Sequence, residues 1–209
     1  MSLKKTLKFA WAPAQEVIFR DLEDNRFMVK TNCLGDWQRI TEQAPSIFRD
    51  HGLLIAKYDG SCKASSVELN RIHAWVQIHD VPELFRKKHI ITELAGNVGE
   101  VITVDMHGGD YVRVPVWLDV RKELRRFVAI TPEGELPVVM RVKYEKIPRF
   151  CVVCGRIGHV QEECGRNSME ALIRTNITSH HARIGPIPCE VLAVLAEEGL
   201  GEADVMELF

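Results

Sequence analysis

The chain has 209 residues, 46% of them hydrophobic, which is enough for a real core in one domain or two small ones. Its 27 basic and 29 acidic residues leave a formal charge of −2, which excludes a general attraction of the whole chain to a phosphate backbone. No stretch approaches the roughly 20 apolar residues that span a bilayer, no signal-peptide pattern opens the chain, and the six cysteines do not form a dense disulfide framework. The reading is an intracellular protein of a reducing compartment, nucleus or cytoplasm, with no membrane partner.

Leu3 to Trp11 places Leu3, Leu7, Ala10 and Trp11 along one side of a short helix. Val17-Ile-Phe19 and Phe27-Met-Val29 flank a polar turn, Asp21 to Asn25, and predict a hairpin. From Asp36, helical spacing of Trp37, Ile40 and Ala44 predicts a second helix that Pro45 ends. Leu53 to Tyr58 follows Gly52 as a buried strand, and Lys63 to Asn70 is a polar loop or linker. Ala74 to Ile78 is a strand with Trp75 opposite Val76 and Ile78.

Pro82 suits a first helical turn and predicts a helix over Glu83 to Leu94. Val101 to Val104, Tyr111 to Leu118, Phe127 to Ile130 and Val138 to Val142 read as strands, the second with alternating aliphatic residues that ask for a buried face. Trp11, Trp37, Trp75 and Trp117 are expected to anchor the core. Beyond Gly165 the tail is acidic, and Pro188 to Leu200 predicts a short amphipathic helix. The order of elements gives an α+β protein without internal repeats. Residues 1–148 form an α/β domain, 149–166 a metal-binding unit and 167–209 the tail.

Cys151, Cys154, His159 and Cys164 spell C-x2-C-x4-H-x4-C, a zinc knuckle. Two thiolates three positions apart can share one ion, and the longer intervals return an imidazole and a third thiolate to complete a tetrahedron. Gly155 and Gly158 suit the tight backbone path between ligands, where positive φ is required of one or both. Four protein ligands leave no open coordination position. The bound Zn2+ is therefore expected to contribute folding free energy and not catalysis.

Arg141, Lys143, Lys146, Arg149, Arg156 and Arg166 put six positive charges around the ligands, against Glu145, Glu162 and Glu163, for a local net of +3. Such a patch can hold a few phosphates with salt-dependent affinity. Phe150 and Ile157 flank the first ligands and offer either an apolar surface for an unstacked base or a cover for the base of the knuckle. Arg121, Lys122, Arg125 and Arg126 extend this basic face or form a solvated edge, with the balance towards the edge.

Four strings resemble a plant protein family in which a domain of unknown function precedes a knuckle of this type. They are Phe48 to Tyr58, Ala74 to Pro82, Val138 to Pro148 and the knuckle itself. The family includes the gag-like first-reading-frame proteins of plant LINE-type retrotransposons and host proteins derived from them. The resemblance implies a modified RNA-recognition-like α/β sandwich followed by extra strands and the knuckle, with single-stranded RNA or DNA as partner. It also implies that the family's first strand is missing, which would expose an unpaired sheet edge unless another element covers it. The short tail points to a host-derived protein over an intact transposon protein.

Enzyme readings are weak. Asp105, His107 and Asp110 lie beside Gly108-Gly109 and read as a surface turn; His180-His181 lies in the tail, and Cys33, Cys62 and Cys189 have no paired histidine. No phosphate-loop, dinucleotide or metalloprotease signature occurs. The sequence therefore predicts a noncatalytic, zinc-dependent binder of single-stranded nucleic acid. The competing reading is a protein-interaction or homo-oligomerisation module in which zinc is purely structural.

Overall fold

The computed structural model describes residues 2–42, 45–106 and 109–165, and the backbone of residues 192–197. Helix α1 (Leu3–Trp11) leads into strands β1 (Val17–Asp21) and β2 (Arg26–Thr31), helix α2 (Leu34–Glu42), the two-residue strands β3 (Ile47–Phe48) and β4 (His51–Gly52), and β5 (Leu54–Tyr58). Strand β6 (Arg71–His79), helix α3 (Lys88–Gly96), β7 (Glu100–Val101), β8 (Tyr111–Asp119), β9 (Phe127–Ile130) and β10 (Val138–Glu145) follow, and β11 (Leu192–Glu197) closes the series. The α+β class is as the sequence predicts.

Two large sheets, beside the two-stranded β3–β4 pair, organise the described residues. The first has four strands in the order β1-β2-β11-β5, and the second has five in the order β7-β8-β6-β10-β9. β1 and β2 form the expected antiparallel hairpin, turned by Asp24 and Asn25 at φ 56 and 58. Both residue types tolerate that left-handed conformation. The apolar sides of α1, α2 and β2 close the first core through Leu7, Trp11, Val17, Phe27, Val29, Trp37, Ile40 and Leu53.

The second core is larger. Val76 and Ile78 of β6, Val112, Val114, Val116 and Leu118 of β8, and Met140 and Val142 of β10 bury one aliphatic face against Ile91, Leu94 and Ala95 of α3. The opposite face carries the alternate residues of β6 and β8. Trp75 and Trp117 sit there, half-buried, while Trp11 and Trp37 are buried in the first core. Arg113 lies over Trp75 at 3.7 Å from the ring centroid and donates twice to the Glu145 carboxylate, at 2.9 and 2.8 Å. The expectation that all four tryptophans anchor the core therefore holds for the first two.

Three elements differ from the sequence expectation. The helix expected over Glu83 to Leu94 splits into a 3-10 turn at Glu83–Phe85 and α3 from Lys88. Lys87 between them is extended, with φ −117 and ψ 140. A continuous helix needs Leu84 on the core stripe, but Leu84 is 68% exposed while Phe85 packs inward. The Arg86 guanidinium fixes the break by donating to the carbonyls of Val81 and Gly109.

The strand expected over Val101 to Val104 ends at Val101. The next partner on β8 is Pro115, which accepts from the Ile102 amide but has no N–H to return, so the ladder stops. Finally, Leu192–Glu197 is a strand and not part of a helix over Pro188 to Leu200. It pairs in parallel with β2 on one side and β5 on the other. The slot between two like-directed strands offers backbone partners on both sides, which an isolated short helix lacks. The open sheet edge implied by the family resemblance is thus covered. Among the described residues, no helix is long and apolar enough to cross a membrane.

Candidate metal centre and its surroundings

The chain leaves β10 at Glu145, turns at Lys146 with φ 48 and enters the knuckle through Ile147 and Pro148. The Arg149 amide donates to the Asp50 carbonyl beside β4, and Phe150 bridges to Ile157 as a short antiparallel pair. Within this loop the Cys151 amide donates to the Arg156 carbonyl and the Gly155 amide to the Cys151 carbonyl, both at 2.8 Å. Gly155 and Gly158 have φ 75 and 107, so both glycines take the conformation that the sequence required of at least one.

These turns gather one ligand atom from each of Cys151, Cys154, His159 and Cys164 within 4.8 Å of one another. The Cys154 Sγ and His159 Nε2 are 3.3 Å apart, close to the edge of about 3.5 Å that zinc-ligand bond lengths impose on a tetrahedron. Cys151 and Cys154 are buried, and the Cys154 amide points at the Cys151 sulfur from 3.5 Å. Burial pushes the Cys154 thiol up to about 11. Burial acts the same way on Cys151, but hydrogen bonds from the Cys154 and Val153 amides outweigh it and hold that thiol below its ordinary value. The donor set therefore fits a cation that displaces thiol protons. With three sulfurs and one nitrogen committed, the knuckle is a noncatalytic structural site.

The knuckle is docked, not tethered. Ile157 is 6% exposed and belongs to the second core, with half-buried Phe150 packed beside it. Ile157 consequently has no surface to offer a base; of the two roles open to it from sequence, it covers the knuckle's foot. From the other side, the loop between β8 and β9 grips the metal loop. The Leu124 amide donates to the Gly155 carbonyl at 2.8 Å, the Arg126 guanidinium donates to the Val152 carbonyl, and Glu123 pairs with Arg156 at 3.9 Å.

The basic residues expected at the site divide by partner. Arg141 is exposed and held by Asp80 at 2.6 Å, Arg149 is half-buried and faces Glu163 at 3.7 Å, and Arg156 is half-buried against Glu123. Lys143 and Lys146 are exposed on and after β10. Arg166 lies outside the described residues, as do His107, His180, His181 and Cys189. Arg121, Lys122, Arg125 and Arg126, expected either to extend the basic face or to form a solvated edge, are all exposed on the segment that grips the knuckle, with Arg121 paired to Asp119. Their spacing alone carries no sign of that contact, because it is made between residues far apart in the chain, 26 positions in the case of Arg126 and Val152.

Residues 118–166 match the family model described as zinc knuckle. The match begins well before the first ligand and takes in the gripping loop together with β9 and β10. Uncharacterized protein At4g02000 of Arabidopsis thaliana is 29% identical over 117 residues. That likeness covers 53% of this chain and 37% of the relative, so the chain spans well under half of the curated protein it matches. No solved structure matches the chain.

Proposed function

We propose that the chain binds single-stranded nucleic acid, RNA or DNA, through a zinc-loaded knuckle and the exposed cations that border it. The observation that carries this reading is the docking of the Cys3His cluster against a loop bearing Lys122, Arg125 and Arg126, and beyond the end of a strand that bears Lys143 and runs into Lys146. Zinc is the ion that three thiolates and one imidazole suit best. When bound, it fixes the path from Cys151 to Cys164 and so fixes where the neighbouring cations stand. Arg149 and Arg156, each facing a carboxylate, shape the knuckle in this reading and contribute less to phosphate contact.

The reading includes descent from a gag-like protein of plant LINE-type retrotransposons, an RNA-recognition-like first sheet and residence in nucleus or cytoplasm. The helix, hairpin, helix and strand order from α1 to β5 supports the second of these.

The test is a titration of zinc-loaded protein against short single-stranded RNA and DNA at two salt concentrations. Affinity should fall as salt rises, because each neutralised phosphate releases a counterion. Lys143→Ala and Lys146→Ala together should lower affinity about tenfold and flatten the salt slope without changing thermal stability. Cys154→Ser should abolish binding together with metal uptake. Salt-independent binding, or full affinity in the double lysine variant, would put the contact surface elsewhere.

A further inference from the structure

We infer that the gap between β2 and β5 is a strand-acceptor site, filled by Leu192–Glu197 of the same chain and open, in exchange, to Leu192–Glu197 of a second copy. The inference is independent of the nucleic-acid reading.

The interior strand of the first sheet is supplied from far away in sequence. β2 and β5 run in the same direction and do not pair with each other; β11 lies between them in register, with Val194 opposite Met28 on one side and Ala56 on the other. A strand in that position satisfies two rows of backbone donors and acceptors at once, whereas an edge strand satisfies one. Taking it away leaves a two-stranded hairpin and a separate strand. It also strips one layer from beside α2, which packs against β11, β2 and β5.

Neither contact is enforced by a tight turn. Parallel pairing requires a long crossover on both sides, and 26 residues, 166–191, separate the knuckle from the strand. A chain of that length reaches at most about 90 Å, far enough to enter a neighbouring molecule. The two arrangements make identical contacts, because donor and acceptor are the same in both. Their balance is then set by the effective concentration of the tethered strand, in the millimolar range or below for linkers of this kind. Exchange of an identical element between copies is a low-cost route to a dimer. The product has two filled acceptor slots, each with β11 paired on both sides.

The experiment uses the full zinc-loaded chain in two differently tagged forms, mixed and annealed in mild denaturant. Light scattering then reads mass across protein concentration, and amide hydrogen exchange reads β2 and β5. The expected result is a dimer fraction that grows with concentration, and mixed-tag dimers after annealing. Amides from Phe27 to Lys30 and Ile55 to Lys57 should be protected in monomer and dimer alike. Val194→Pro removes the central N–H and should abolish the dimer and this protection together.

A dimer that survives Val194→Pro places the interface elsewhere and overturns the inference. So does a native chain that stays monomeric throughout with β2 and β5 protected, since the strand then never leaves its own slot. Rapid exchange of β2 and β5 in the native chain also overturns it, because the slot is then empty. Should Val194→Pro fail to fold, a labelled peptide of residues 188–200 annealed with the unaltered chain decides the matter. Its incorporation, with a several-fold fall in dimer fraction, supports strand exchange. No incorporation, or equal incorporation of the same peptide carrying Val194→Pro, refutes it.

Discussion

Asp36 shows how much a single buried carboxylate can hold. It lies in the first turn of α2, 2% exposed, and accepts the amides of Ala14 and Gln15 and the Arg39 guanidinium at 3.0, 3.1 and 2.7 Å. The Ala14 amide does most to hold its carboxyl below the usual carboxylate range. Burial opposes that, and the Gln15 amide and Arg39 reinforce it. A depressed pKa in the folded state stabilises the protein above the unfolded value, and that contribution is lost as pH falls through the folded one. Asp36→Ala should therefore cost about 2 kcal/mol in urea unfolding at pH 7. Asp36→Asn should remove part of the stability lost by the native chain below about pH 4; an unchanged acid limb would mean that the charge is not what ties α2 to the α1–β1 connection. Gly52 makes a different demand. A Cβ there would stand 2.5 Å from Cγ of Pro148 and 2.8 Å from Cδ1 of Ile72. Gly52→Ala is expected to cost about 1–3 kcal/mol by overpacking and to raise amide exchange at Arg149, whose N–H donates to Asp50 close by. The four members of the candidate metal cluster and both knuckle glycines could be read from spacing, because a shared ion would dictate it. The roles of Asp36 and Gly52 could not, since Ala14 and Gln15 on the one hand, and Ile72 and Pro148 on the other, are far away in sequence.

At the scale of elements, what periodicity determined came out as expected. α1 spans Leu3–Trp11 and β9 spans Phe127–Ile130, the ranges their patterns predict, and the aliphatic alternation of β8 does face the second core. The failures share a cause. Glu83 to Leu94 satisfied a helical pattern that Phe85 and Arg86 override through contacts with the body of the fold. Leu192-Ala-Val-Leu195 is an apolar run too short for periodicity to distinguish helix from strand, and an open slot in a sheet decides it. The outer face of the second sheet gives a prediction of its own. Arg113 is stacked on Trp75 and forked onto Glu145, and the guanidinium holds the Glu145 carboxyl below its usual range against partial burial. Because Arg113 is 42% exposed, solvent screening limits the pair. A double-mutant cycle with Arg113→Ala and Glu145→Ala should give a coupling of about 1 kcal/mol. The coupling should vanish as acid protonates Glu145, since its stabilisation is present only above the depressed folded pKa. Additive single effects at neutral pH would show that the stacking on Trp75, and not the ion pair, holds Arg113.

For the whole molecule, the decisive feature is that the metal loop shares a core with the second sheet. Ile157 belongs to the apolar cluster that contains Val76, Val114 and Met140; the Leu124 amide ties the gripping loop to the Gly155 carbonyl, and the Val142 amide of β10 donates to the Arg126 carbonyl of that loop. An autonomous knuckle on a linker would lose its metal without consequence for the rest of the chain. Here the segment from Cys151 to Cys164 has too few residues to keep its turns once the ligands repel or protonate, and Ile157 leaves the core with it. Chelation should then lower the thermal midpoint of the second sheet by about 10 °C, given that each kcal/mol moves the midpoint of a domain this size by roughly 2–4 °C. The same treatment at lower pH should need less chelator, because metal binding must displace a proton from Cys154, whose thiol burial raises to about 11. Amide exchange separates this from global loosening. Leu124 and Val142 should lose protection before Val29, which lies in the first core and makes no contact through the knuckle's cluster. If Leu124 stays protected after the metal is removed, the grip of the β8–β9 loop does not depend on the ion, and the cations it carries would stand in the same place with or without zinc.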